Sequence, residues 1–170
     1  MTDHNNSDTA APSPSHELRI RPHHLVCVCF FRGKGYSEEF VANMTETVGR
    51  LKAGEPFILT CSTDIICSAC PNRKDGGCSA GDRVDRYDAR AADAAGLMPG
   101  SEYRFPEVLP LIESGIINVP GKLASVCGDC EWFGICGQAA VTRAETPEKG
   151  PEEAAKEQIA PEDYSGNRRA

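Results

Sequence analysis

The sequence predicts a small single-domain α+β fold with short strands, three to five helices and two cysteine-rich metal-binding loops. Three observations lead there. A length of 170 residues allows one real core and leaves little room for a second. Hydrophobic content of 40% with 25% charged residues is that of a globular chain, while 16 glycines and 12 prolines imply much loop. The segments with strand and helix character follow the order strand, helix, helix, strand, helix, helix, which does not alternate regularly enough for a parallel α/β sheet.

Taken in order, residues 1–16 carry Ser, Pro, Asn and Asp with little to bury and read as a disordered tail. "ELRIR" alternates as a short strand. Pro22 then stands where the first turn of a helix starts, although "HHLVCVCFF" also suits a strand. After "RGKGY", Ser37 is a good N-cap, Glu38 and Glu39 fill a first turn, and Phe40, Val41, Met44, Val48 and Leu51 share one helical face. Gly54 is placed to stop that helix.

"PFILTC" is rich in β-formers and leads as a strand into the loop Cys61–Cys78. Between Ser79 and Gly96, Val84, Tyr87, Ala91 and Ala94 or Ala95 give another apolar helical face. "EVLPLIESGI" reads as a short helix broken or started at Pro110. "GKLASVCGDCEWFGICG" is the second cysteine segment. From Glu145 onward there are seven acidic and four basic residues, with Pro147, Pro151 and Pro161 interrupting any helix. The expected divisions are a tail over 1–16, a cysteine-rich metal-binding domain over 17–142, and an acidic, disordered tail over 143–170.

A net charge of -7 without a clustered excess of Lys or Arg argues against nucleic acid as a partner. The longest apolar run, Leu25–Phe31, is far short of a membrane span. The N-terminus has neither the basic nor the apolar region of a secretory signal, so a cytoplasmic location is expected. In that reducing setting, nine cysteines point to metal or redox chemistry before disulfides.

Six of the nine form a repeated pattern. Cys67 and Cys70 make a C-x-x-C with Cys78 after seven intervening residues, and Cys127 and Cys130 make another with Cys136 after five. A C-x-x-C turn aims two sulfurs at one point, and a Gly-bearing loop lets the third return to it. Isolated buried cysteines are ordinary small core residues, but duplicate triplets are not. Zinc could take each triplet with one histidine, and iron–sulfur clusters use the same thiolates in Gly-rich loops; the spacing leaves both open, with 4Fe-4S favoured.

The segments "RPHHLVCVCFFRGKGYSEEFVANM", "DIICSACPN" followed by Cys78, "RYDAR", and "VCGDCEWF" followed by Cys136 together resemble the family catalogued as domain of unknown function 1284, small bacterial and archaeal proteins. The resemblance runs from about Leu18 to Cys136. It implies iron–sulfur binding and covers His23, His24, Cys27, Cys67, Cys70, Cys78, Cys127, Cys130 and Cys136. Cys29 and Cys61 fall outside its cysteine positions.

His23, His24 and Cys27 are candidate additional ligands. On a helix His23 and Cys27 face the same side, on a strand His23, Leu25 and Cys27 do, and a hydrogen-bonded structural histidine is the plain alternative. Arg32 and Lys34 in "RGKGYS" precede a helix N-terminus and form a candidate anion site, or simply an exposed turn. The function expected is a cytosolic iron–sulfur protein in electron transfer or redox and iron sensing, with an unidentified redox or protein partner. The alternatives are a zinc-stabilised module recruiting a protein and a metal-dependent enzyme acting on a small anion. No hydrolase, radical or dinucleotide motif is present.

Overall fold

Three short strands form the sheet on which the helices pack, in a computed structural model that describes residues 17–145, with side chains described to residue 140. β1 (Leu18–Ile20) lies parallel to β2 (Pro56–Leu59), with Leu18 opposite Phe57 and Ile20 opposite Leu59. β5 (Glu102–Arg104) runs antiparallel on the other side of β2. Leu18 and Ile20 are buried and Arg19 is exposed, the alternation of a one-faced strand. The parallel pair needs a long crossover, and the two helices α1 (Pro22–Phe30) and α2 (Glu38–Lys52) supply it.

The helix reading of "HHLVCVCFF" is the one the structure takes. Arg21 is extended, Pro22 occupies the first turn, and Leu25, Val26, Val28 and Phe30 are buried, so α1 runs through the core. In α2, the Ser37 hydroxyl accepts a hydrogen bond from the Phe40 N–H at 3.1 Å. Met44, Thr47, Val48 and Leu51 face inward, and Gly54, at a φ of 83°, turns the chain away.

The first cysteine segment is more ordered than a loop. A 3₁₀ turn (Ile66–Ala69) is followed by the hairpin β3 (Arg73–Lys74) and β4 (Gly77–Cys78). Asp75 and Gly76 both have positive φ, as a two-residue Asp-Gly hairpin turn requires. α3 (Gly81–Ala95) then runs to a left-handed Gly96 cap.

α4 (Phe105–Ile112) does not start at Pro110; it starts five residues earlier, with Pro106 in its first turn and Pro110 carried inside. It continues into a π turn (Glu113–Ile117). There Gly115 passes so close to α3 that an added Cβ would lie 2.1 Å from the Ala94 carbonyl oxygen. α5 (Lys122–Cys127) and α6 (Phe133–Glu145) make the second cysteine segment a helix–turn–helix. The described α-helices number six, and with the small sheets they make the single-domain α+β fold that the sequence predicts. α6 runs past residue 142, and the expected tails otherwise lie outside the described residues. Ile20, Leu25, Leu51, Leu59, Ile66, Val108 and Ile116 are fully buried and form the centre of one hydrophobic core. No described helix is long and apolar enough to cross a membrane.

Candidate metal centre

α1 carries His23, His24 and Cys27 into the middle of the molecule, and two buried aspartates fix the imidazoles there. His23 Nδ1 lies 2.6 Å from Asp88 Oδ1, and His24 Nδ1 lies 2.7 Å from Asp64 Oδ2. Each carboxylate accepts from Nδ1, which sets the ring's orientation in the way carboxylates hold metal-ligating histidines. The two rings are 4.1 Å apart between centroids. Burial and the neighbouring His24 push His23 down to about 4, so it is neutral at ordinary pH.

Both carboxylates are well supplied with donors. Asp64 accepts the Arg21 N–H at 2.8 Å and the Cys67 N–H at 3.0 Å besides its histidine. Burial works against its charge, but His24 and these donors outweigh that and hold it well below the usual carboxylate range. Asp88 accepts Arg21 Nε at 2.6 Å and the His23 N–H at 3.1 Å, and Arg21 also reaches Asp85 at 2.7 Å. Arg21 and Asp88 are 3% and 1% exposed, a fully desolvated ion pair.

The two C-x-x-C turns share one backbone form. The Cys70 N–H bonds the Cys67 carbonyl at 3.1 Å and the Arg73 N–H bonds that of Cys70 at 3.1 Å; Cys130 to Cys127 and Phe133 to Cys130 repeat the pattern at 3.0 Å each. Cys27, Cys67, Cys70, Cys78, Cys127, Cys130 and Cys136 are all free thiols. All but Cys127 line a single cavity of about 150 Å³, together with His23 and His24. Cys127 is not among its lining residues; its thiol is directed to the Leu123 carbonyl at 3.6 Å. Cys29 and Cys61 are not on the cavity wall; the Cys29 thiol bonds the Leu25 carbonyl within α1.

Burial is the first cause of the thiols' electrostatics. It pushes Cys67 and Cys127 up to about 12 and raises Cys70, Cys130 and Cys136. Cys27 is raised as well, by burial first and then by Cys136, Cys130 and Cys127 around it. Thiols in this state are protonated at neutral pH, and a bound cation would stabilise their thiolates. The charged group that acts most on Cys67 is Asp64, whereas Cys70 feels Cys78. The first triplet is therefore divided, and the second is gathered around Cys27.

Arg32 and Lys34 reach the same cavity from the "RGKGY" turn. Tyr36 anchors that turn to the second cysteine segment: its hydroxyl donates to Glu131, and its ring meets Trp132 edge-on at 5.1 Å. Tyr87 also lines the cavity, with its hydroxyl buried and short of a well-formed hydrogen bond. Burial first, and then the nearby Asp129 carboxylate, push it up to about 12.

Sequence reasoning does not reach Arg21, Asp64 or Asp88, because their partners lie 40 to 67 residues away. One local signal was there to read: Asp64 stands three residues before Cys67 and accepts its N–H, the geometry of a capping aspartate.

A family model described as a protein of unknown function (DUF1284) matches residues 35–136. Both triplets lie within that stretch, while His23, His24 and Cys27 precede it. No curated protein and no solved structure matches the chain.

Proposed function

The chain belongs to the family DUF1284, proteins of unknown function, and we propose that it is a cytoplasmic iron–sulfur protein whose 4Fe-4S cluster is held by Cys127, Cys130, Cys136 and Cys27. The observation that carries this reading is that Cys27 from α1 shares one cavity of about 150 Å³ with Cys130 and Cys136 of the second triplet and has all three thiols of that triplet as its electrostatic neighbours. That volume is about five times a water molecule's share of the liquid, room for a compact inorganic core.

In this reading Cys27 is the fourth ligand of the second triplet. α1 packs against α6, which brings Cys27 beside the triplet, and four thiolates are the usual complement of such a cluster. Iron is favoured over zinc by spacing. A single tetrahedral zinc with thiolate bonds of about 2.3 Å draws its sulfurs to within about 4 Å of one another. Among the described residues, the one set of three His, Cys, Asp or Glu ligand atoms within 4.8 Å of each other is His24, Asp64 and Cys67, not the second triplet. A polynuclear cluster suits wider thiols. Buried in protein beside an aromatic cover of Tyr36 and Trp132, it would pass or register single electrons, which fits electron transfer or redox sensing.

Anaerobic purification with visible absorption and analysis for iron, sulfide and zinc tests the reading. About four iron and four sulfide per chain are expected, with Cys27→Ser losing much of both. Stoichiometric zinc without sulfide would replace this reading with the zinc-stabilised binding module.

A further inference from the structure

We propose a second, mononuclear metal site in this protein, in which His24, Asp64 and Cys67 hold one divalent ion of the zinc or iron(II) class, with its remaining coordination position open to the cavity. The ligand atoms of these three residues all lie within 4.8 Å of one another. Asp64 and Cys67 share one local turn after β2 and His24 comes from α1, so the packing of α1 on that turn completes the set.

Charge decides in favour of a single divalent ion. One carboxylate and one thiolate against an ion of charge +2 leave a neutral buried site, the condition under which burial is tolerated. The nearby Arg21 guanidinium is already matched by Asp88 and Asp85. A carboxylate–imidazole–thiolate set is mixed in hardness, which suits zinc or iron(II) and is foreign to an all-thiolate cluster.

The site is also preorganised. Asp64 is pinned by the Arg21 and Cys67 N–H groups, one on each oxygen. His24 Nδ1 and Asp64 Oδ2 sit 2.7 Å apart around a shared proton. The ion takes the place of that proton, which moves to Nε2 so that the imidazole stays neutral, and the Cys67 thiol releases its own to solvent. The pair needs to open by under about 1 Å to span bonds of roughly 2.0–2.2 Å. His24 and Cys67 line the cavity while Asp64 lies behind them, so the ion faces the open volume with three protein ligands, the coordination of a catalytic rather than a structural ion. The buried Tyr87 hydroxyl and the Lys34 and Arg83 cations line the same cavity, which suits a small anion in the fourth position.

Cobalt(II) is the probe. The full chain, purified anaerobically and stripped of loosely held ions, is titrated with cobalt and followed by its thiolate charge-transfer and ligand-field absorption. One tetrahedral cobalt with thiolate character is expected. Cys67→Ser should abolish the charge transfer and His24→Gln should weaken binding at least about tenfold, both with iron and sulfide unchanged; Cys70→Ser should leave cobalt binding intact. The proposal is overturned if either of the first two variants binds cobalt as the wild type does, or if they lose iron and sulfide instead. For variants that fail to fold, cadmium NMR of the wild type reads the donor set directly: one sulfur with nitrogen and oxygen is expected, and three or four sulfurs overturn the site. A wild type that binds cobalt in this way but contains no sulfide sinks the cluster and leaves the mononuclear site standing.

Discussion

Replacing Asp88 by alanine removes the acceptor of three nitrogen donors at once and leaves the Arg21 guanidinium buried. Arg21 is 3% exposed, and its remaining carboxylate partner, Asp85, is mostly in solvent at 63%. Removing one member of a buried pair costs about 3–5 kcal/mol. Asp85 offsets part of that, so a loss of about 3 kcal/mol is expected, together with the tether between α1 and α3 that passes through His23. For a chain of this size that is a fall in Tm of about 6–12 °C. Urea unfolding followed by far-UV circular dichroism and by tryptophan fluorescence gives the measurement, with coincident curves as the check on two-state behaviour.

Two companions make the reasoning refutable. Arg50 and Glu55 form an ion pair at 31% and 37% exposure, so Arg50→Ala should cost under about 1 kcal/mol. If the orphaned guanidinium is the source of the loss, Arg21→Met in the Asp88→Ala background should restore stability. Asp88→Ala costing no more than Arg50→Ala, or a double variant worse than the single, would show that the buried pair does not hold these helices together.

Glycine substitutions should separate by sign. Gly115→Ala puts a methyl group against the Ala94 backbone, which cannot step aside, and should cost more than about 2 kcal/mol in urea unfolding. Gly49→Ala, with nothing within 4 Å inside α2, should stabilise by about 0.5–1 kcal/mol; equal midpoints for the two would contradict the close approach. Ser37→Ala should cost about 1 kcal/mol through the lost cap of α2, with Ser37→Asp restoring it.

The elements that could be read in advance are those whose signals are local. Ser37, the Glu38–Glu39 turn and Gly54 bound α2 because capping, charge and φ act within a few residues. The paired triplets were legible for the same reason, as spacing alone brings a C-x-x-C into one turn. Pro110 misled because a proline signals a break, whereas α4 carries it where the chain passes into a π turn. "DGG" held an Asp-Gly hairpin that reads equally as flexible loop until both strands are placed. The aspartates that orient the two imidazoles depend on α3 and the 3₁₀ turn meeting α1, and no pattern in the chain announces a meeting of that kind.

The thiols assigned to the cluster come from opposite ends of the folded region, Cys27 in α1 and Cys127–Cys136 about a hundred residues later. During synthesis the earlier thiol waits, and its partners do not exist until the last helices leave the ribosome. Closing so long a loop is slow and entropically costly, and a metal that binds only the closed form draws the equilibrium toward it. Under the proposed ligand set, cofactor loading would be a checkpoint on completion of the chain: a product truncated before α6 would retain the residues of the sheet and the first triplet but lack Cys136.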